Sequence, residues 1–321
     1  MSRSSRDSCC PDEQGHTIAV IEPVIDPGVA QAIVSGQPVV ALESTIFSHL
    51  GLPSPANAEA LDRCLEAVTS CGAVPAVTAV LDGVPRVGIA PEEHERILGP
   101  ARKAAERDLP VAVAQRWEFG ATTVSAALAL AHAAGVEVFA TGGIGGVHRE
   151  VGETGDVSAD LGAIASFPLV TVCAGAKAFL DLGRTLEHLE TAGVPVLGWR
   201  HDELPAFYTR SSGHPVPHRV ESAAEVAGVL AGRTRPERGV LLTVPIPEAD
   251  ELDPGIIDAA LRDALADAAT QGVRGAAVTP FVLGRIGAAT GGDSVPANLA
   301  LAENNAAVAA EVAVAIRAAR R

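Results

Sequence analysis

Seven short apolar runs, separated by longer stretches of helical periodicity, constrain this chain more than any other feature. Val39–Leu42, Ala76–Leu81, Val111–Ala114, Val136–Ala140, Leu169–Cys173, Val194–Leu197 and Val240–Val244 each read as a buried strand. Strands covered on both faces lose the polar alternation of surface strands, and they belong to parallel sheets packed between helices. The intervening segments predict helices over 56–70, 91–107, 121–134, 178–191, 222–232, 254–271 and 295–319. In 254–271, for example, Ile256, Ile257, Ala260, Leu261 and Leu265 recur at helical spacing with charges between them. Asp82-Gly83 predicts a hairpin turn between Val80 and Arg86, and Asp293-Ser294 a cap for the last helix. The class expected is α/β.

Composition supports this and narrows the function. Of 321 residues 48% are hydrophobic but only 3% aromatic, which suits small-residue helices lying close on a sheet. A net charge of -15 opposes attraction to a polynucleotide or an anionic membrane, while leaving a free nucleotide open. Residues 1–16 lack the apolar core of a secretory signal and read as a disordered tail, with 17–321 as one domain. The polar loop 231–239 reads as a surface connection with solvated charges. No uncharged apolar run approaches a spanning length, so a soluble protein is expected. Cys9, Cys10, Cys64, Cys71 and Cys173 form no CxxC pair, which argues against a disulfide framework or zinc site and for a reducing cytoplasm.

In open α/β sheets ligands bind beyond the carboxyl ends of the strands, and polar residues cluster there. Glu43, in Ala41-Leu42-Glu43-Ser44-Thr45, directly follows a strand. It is either a surface carboxylate or, against the apolar residues of STIFSH, an acid whose pKa is raised toward proton donation. Thr141-Gly142-Gly143-Ile144-Gly145-Gly146-Val147-His148-Arg149 carries four glycines that let backbone approach an anion, without the spacing of a Walker or dinucleotide loop. Asp156 and Asp160 share a helix face or straddle its first turn, open either to a hard cation or to an N-capping aspartate followed by a first-turn acid. One or two carboxylates make no full cage, so a bound cation keeps several waters.

Lys177 is delivered by a strand through the small-residue turn Val172-Cys173-Ala174-Gly175-Ala176 into apolar surroundings. Burial and a neighbouring cation both favour the neutral amine, the form that attacks carbonyl carbon. Lys103 lies in Ala101-Arg102-Lys103-Ala104-Ala105, late in the expected helix 91–107, where a cation offsets the helix dipole. Gly291-Gly292-Asp293-Ser294 leads to Asn298, with Asn304 and Asn305 beyond; an inward amide at 298 either reads a base edge or braces a loop. Lys103 and Lys177 are the only lysines among 24 basic residues.

In this order ALEST, RDLP, GATTVSA, TGGIGGVHR, DVSADL, CAGAKAFLDL, GVPVLGW, LPAFYTR, PIPE, TPF and GGDSVPANLALAENNA resemble the pseudouridine-5'-phosphate glycosidases, also called the indigoidine synthase A-like family, from about Val39 to Ala310. The resemblance implies a three-layer α/β/α fold with a mainly parallel or mixed central sheet, assembled as a homotrimer. It implies reversible cleavage of the C–C glycosidic bond of pseudouridine 5'-phosphate to uracil and ribose 5-phosphate, a lyase-type C-glycosidase reaction in which Lys177 is the nucleophile and Glu43 the proton donor. Asp156 would hold one largely hydrated Mn²⁺ per subunit. Lys103, Val124, Ser158, Ala159, Asp160 and Asn298 would contact substrate, and His148 is placed as a base or ribose contact. The sequence departs from the family at His49-Leu50-Gly51-Leu52-Pro53-Ser54-Pro55, which has one added residue and no tyrosine and puts the packing of that loop in question. A related Schiff-base lyase or aldolase acting on another sugar phosphate is the alternative enzyme. A catalytically silent metabolite-binding protein would have lost Lys177 or Glu43, and both are present.

Overall fold

The computed structural model describes residues 21–273 and 278–320; the expected tail, 1–16, lies outside them. The strands are β1 (Val24–Ile25), β2 (Val39–Leu42), β3 (Val74–Leu81), β4 (Val84–Val87), β5 (Arg102–Ala104), β6 (Phe119–Thr122), β7 (Val138–Ala140), β8 (Val170–Cys173), β9 (Val196–Trp199), β10 (His218–Val220) and β11 (Val240–Thr243). They form a sheet in the order β1-β4-β3-β2-β7-β8-β11-β9-β10, with β6 joined to β3 and β5 to β6. From β3 through β2, β7, β8, β11 and β9 to β10 every pairing is parallel. β3 turns antiparallel onto β4 and β6 only in its second half. The central strands are buried at every residue, which is why their sequences do not alternate.

Helices cover both faces. Ala56–Ser70, Ala223–Ala231 and the long Ser294–Ala319 pack together, the last lying across β2, β7 and β8. Val124–Ala133 and Ala159–Ser166 pair opposite them. Ser294–Ala319 is long and apolar enough to cross a membrane, but 61% of its most apolar window is buried against the sheet and neighbouring helices. Its stripe of alanines permits the close approach.

The hairpin forms as expected: Leu81 pairs with Val84, and Asp82 and Gly83 take positive φ of 53° and 77°, the two-residue turn that matches strand twist. Three expectations are corrected. Val111–Ala114 is helical, within Leu109–Ala114, because Pro110 opens the helix and helical spacing buries Leu109 and Ala112 while exposing Val111 and Val113. The helix expected over 91–107 breaks after Ile97, where Gly99-Pro100 cannot continue it, and residues 102–104 become β5. Lys103 therefore sits on a strand, with no helix dipole to offset. Asp293 precedes the last helix but its side chain makes no capping bond.

The loop 231–239 is a connection, as expected, but its arginines are not merely solvated. Arg233 Nε donates to Leu230 O at 2.7 Å and Arg238 Nη1 to Ala192 O at 2.9 Å, tying off carbonyls at two helix ends.

Candidate active site

The chain leaves β2 toward β3 on one side of the sheet and β7 toward β8 on the other, so a crevice opens where the carboxyl ends of β2 and β7 lie side by side. Glu43 follows β2 and Thr141 follows β7, and Thr141 Oγ1 donates a hydrogen bond to Glu43 Oε1. Glu43 is 7% exposed. Burial raises its pKa above the usual carboxylate value, opposed by the charge of Lys177 and the bond from Thr141; Asp160 pushes it up further and Lys103 down. The turn beneath it is locked by buried hydroxyls. Ser44 N donates to Thr122 Oγ1 at 3.2 Å, Thr122 N to Ser44 Oγ at 3.0 Å, and Thr45 Oγ1 to Thr122 O at 2.7 Å.

Lys177 arrives from β8 through a turn that only glycine can make. Gly175 has φ of +79°, and a Cβ there would lie 2.0 Å from Pro205 O. Past the strand ends the lysine turn and the glycine loop are stitched together: Ala174 N donates to Gly142 O at 2.9 Å, Ile144 N to Gly175 O at 3.1 Å and Lys177 N to Ile144 O at 3.1 Å. Lys103 enters from β5 at the rim. It keeps an open face to solvent, yet surrounding protein, then the neighbouring Lys177 charge, hold its pKa below the ordinary lysine value. Lys177 and Asp160 thus both act on the ionisation of Glu43 and Lys103.

Asp160 is a brace. Its Oδ1 accepts from Ser125 N at 3.1 Å and its Oδ2 from Gly145 N at 2.9 Å, joining the start of helix Val124–Ala133 to the glycine loop. Gly145 leaves room for this contact, since a Cβ there would meet Ser158 Oγ at 2.2 Å. The helix Ala159–Ser166 is capped by Ser158, whose Oγ accepts from Asp160 N at 3.2 Å, so Asp156 is not the cap and the two aspartates straddle the turn. Ala159 is exposed, and the Val124 side chain, 2% exposed, belongs to the core.

Asp156 is half-buried, 3.8 Å from His148 Nε2. Among the described residues no three His, Cys, Asp or Glu side chains converge as a metal cage. One half-buried carboxylate suits a hard cation that keeps most of its water.

Asn298 faces inward, 8% exposed, with an Oδ1 that has no hydrogen-bond partner and points at Gly142. Loop bracing falls instead to Asn305, whose Nδ2 donates to Thr141 O at 2.8 Å and Gly142 O at 3.2 Å. Thr141 and Asn305 lie in the polar clusters of the sequence without an assigned role, and Thr122 lies in none of them. The available signal is a hydroxyl residue directly after an apolar run, as Thr141 follows Val138-Phe139-Ala140.

The departing loop after Glu43 is firmly held. Asn57 Nδ2 donates at 2.9 Å to both Phe47 O and Leu98 O, and Ala101 N donates to His49 Nδ1 at 2.9 Å, so the loop packs on the segment leading to Lys103 without a tyrosine.

The family model described as indigoidine synthase A like protein matches residues 28–315. A relative from Methylobacterium nodulans named pseudouridine-5'-phosphate glycosidase is 50% identical over 305 residues, covering 93% of this chain and 90% of its own length. Another so named, from Myxococcus xanthus, is 49% identical over 292 residues, covering 89% and 96%. Among solved structures, the prealnumycin C-glycosynthase AlnA in complex with ribulose 5-phosphate superposes with a TM-score of 0.85 at 35% identity, over 97% of this chain and 99% of its own. An indigoidine synthase A-like protein from Thermotoga maritima superposes with a TM-score of 0.81 at 35% identity, over 96% and 100%.

Proposed function

The chain belongs to the indigoidine synthase A-like family, and on that premise we propose that it reversibly cleaves the C–C glycosidic bond of pseudouridine 5'-phosphate to uracil and ribose 5-phosphate. The observation that carries the reading is the pairing of a buried, high-pKa acid, Glu43, with an amine, Lys177, at the crevice between β2 and β7.

An oxygen leaving group departs with its electron pair readily, whereas C5 of uracil is a poor leaving carbanion, so two flanking carboxylates are not enough. A lysine changes the route. Glu43 protonates the ring oxygen as its bond to C1' breaks, and Lys177 Nζ bonds to C1'. The C1'–C5 bond then breaks with its electrons going to C5, which takes up a proton, and C1' is left as an iminium on Nζ. Water hydrolyses the iminium, returning the amine and releasing ribose 5-phosphate. In reverse, uracil C5 attacks the same iminium.

Lys103 at the rim supplies a compact cation for the phosphate, remote from the reacting bond, and the glycine loop supplies backbone donors. Asn298, with its unpartnered amide oxygen, contacts the substrate, as do Ser158 and the backbone N–H of Val124 at its helix start. Asp156 would hold the Mn²⁺, which would supply positive charge and bound water, and His148 beside it serves as a base or ribose contact. The active assembly is a homotrimer, on the strength of the family resemblance. A reducing cytoplasm suits the free Cys64, Cys71 and Cys173.

The deciding experiment incubates the protein with pseudouridine 5'-phosphate and Mn²⁺ and follows uracil by chromatography, with uracil and ribose 5-phosphate as the reverse assay. No uracil, with turnover of a different pentose phosphate, would transfer the assignment to another Schiff-base lyase.

A further inference from the structure

We propose that Asn305 is a positioning residue for the proton donor Glu43, acting from the far helix through Thr141. The inference rests on the reading of Glu43 as proton donor. Asn305 is 0% exposed and lies on Ser294–Ala319, 164 residues from Thr141 in sequence. β7 ends at Ala140, so the buried carbonyl of Thr141 falls past the regular ladder, while that of Gly142 accepts from Ala174 N at 2.9 Å. Asn305 Nδ2 bonds both, at 2.8 and 3.2 Å. Thr141 N is bonded to Val172 O at 3.0 Å. The peptides on both sides of Thr141 are therefore pinned, its Cα cannot turn, and its hydroxyl is held on Glu43.

Packing alone does not account for an amide here. The Asn305 Oδ1 is buried without a partner, an arrangement that costs stability and that an apolar side chain of similar size would avoid. The neighbouring Asn304 reaches elsewhere, donating to Pro245 O at 3.3 Å, so the two amides serve different segments. What Asn305 secures is a direction for one hydroxyl.

The consequence is electrostatic as well as geometric. Lys177, Asp160 and Lys103 are the charged groups that act on Glu43, and Cys64 lines the small cavity beside it. Thr141's bond is one of the contributions that lower the Glu43 pKa against burial. Freed from that bond, Glu43 titrates higher. A proton donor works while protonated, so the alkaline limb of the kcat–pH profile moves to higher pH.

The test is steady-state cleavage of pseudouridine 5'-phosphate across pH for wild type, Asn305→Ala, Thr141→Val and the double variant, with Thr141→Ser as the conservative control. Asn305→Ala is expected to lower kcat about 10- to 100-fold with little change in KM, since misplacement of a reacting group costs rate. Its alkaline limb moves to higher pH. Thr141→Val gives the same shift, the double variant adds nothing to it, and Thr141→Ser keeps the wild-type limb. An unmoved limb in Asn305→Ala, or additive shifts in the double variant, overturns the proposal. If Asn305→Ala fails to fold, Asn305→Ser, too short to bond both carbonyls, takes its place: a raised limb supports the proposal and an unmoved one overturns it. Absence of both uracil release and a borohydride-trapped Lys177 adduct in wild type would instead defeat the underlying assignment of the reaction.

Discussion

Thr141 and Glu43, 98 residues apart in sequence, meet across the mouth of the sheet, the hydroxyl of one donating to the carboxylate of the other. Neither residue is distinctive alone. Their meeting follows from the strand order, which sets β7 beside β2 and opens the crevice at their carboxyl ends. An acid placed there is buried, which raises its pKa, and lies close enough to Lys177 for the lysine charge to oppose that rise.

Lys177→Arg is expected to lower cleavage by at least about 10³-fold, as loss of a nucleophile does. Arginine keeps the positive charge but cannot form an iminium. Borohydride with ribose 5-phosphate should add mass to the wild type at Lys177 and none to the variant; an adduct persisting in the variant would move the nucleophile elsewhere.

Glu43 carries a raised pKa in the folded chain, so its contribution to stability is complete below the unfolded carboxylate pKa and is lost as pH rises through the folded value. Glu43→Gln removes that loss. The variant should be inactive yet gain in Tm at pH 8 relative to wild type, with the gain vanishing near pH 4. A gain independent of pH would show that the carboxylate is not buried as charge.

Lys103 lies at the rim with its pKa lowered by burial and by Lys177. Lys103→Met should raise KM about 10- to 100-fold and change kcat far less, as loss of a contact made equally to substrate and transition state does. A selective fall in kcat would place Lys103 in the chemistry instead.

Gly175→Ala combines a φ of +79° with a Cβ 2.0 Å from Pro205 O. Unfolding in urea should show a loss of at least about 2 kcal/mol, and the displaced Lys177 turn a matching loss of adduct formation. Wild-type stability with wild-type trapping would mean that the turn relaxes freely.

Chelation should lower activity reversibly, with Mn²⁺ restoring it, and Asp156→Asn should raise the Mn²⁺ concentration for half-activity about 10- to 100-fold. Unchanged activity after exhaustive chelation would remove the metal from the reaction.

Much of the architecture is legible in the sequence. The strand Val39–Leu42 and the helix Ala56–Ser70 appear with the bounds their patterns predict, because continuous apolar runs and a clean helical stripe each have one way to be buried. Pro27–Val34, Ala159–Ser166 and Val278–Ala289 leave little trace there: they are short or rich in glycine and alanine, and their stripes are faint. Leu109–Ala114 reads as a strand because its alternating valines imitate one, while Pro110 starts a helix.

The sequence by itself determined the chemistry available: an acid after one strand, an amine after another, and two lysines in a chain otherwise served by arginine. Local pattern carries that much because a residue type and its neighbours in the chain fix what a group can do. Tertiary structure decided which groups act together. Strand order brought Thr141 to Glu43, β5 carried Lys103 to the rim, and the last helix laid Asn305 against the glycine loop. These contacts span from tens to more than a hundred residues, and no periodicity encodes them; only the packing of helices on the sheet brings such distant residues within bonding distance.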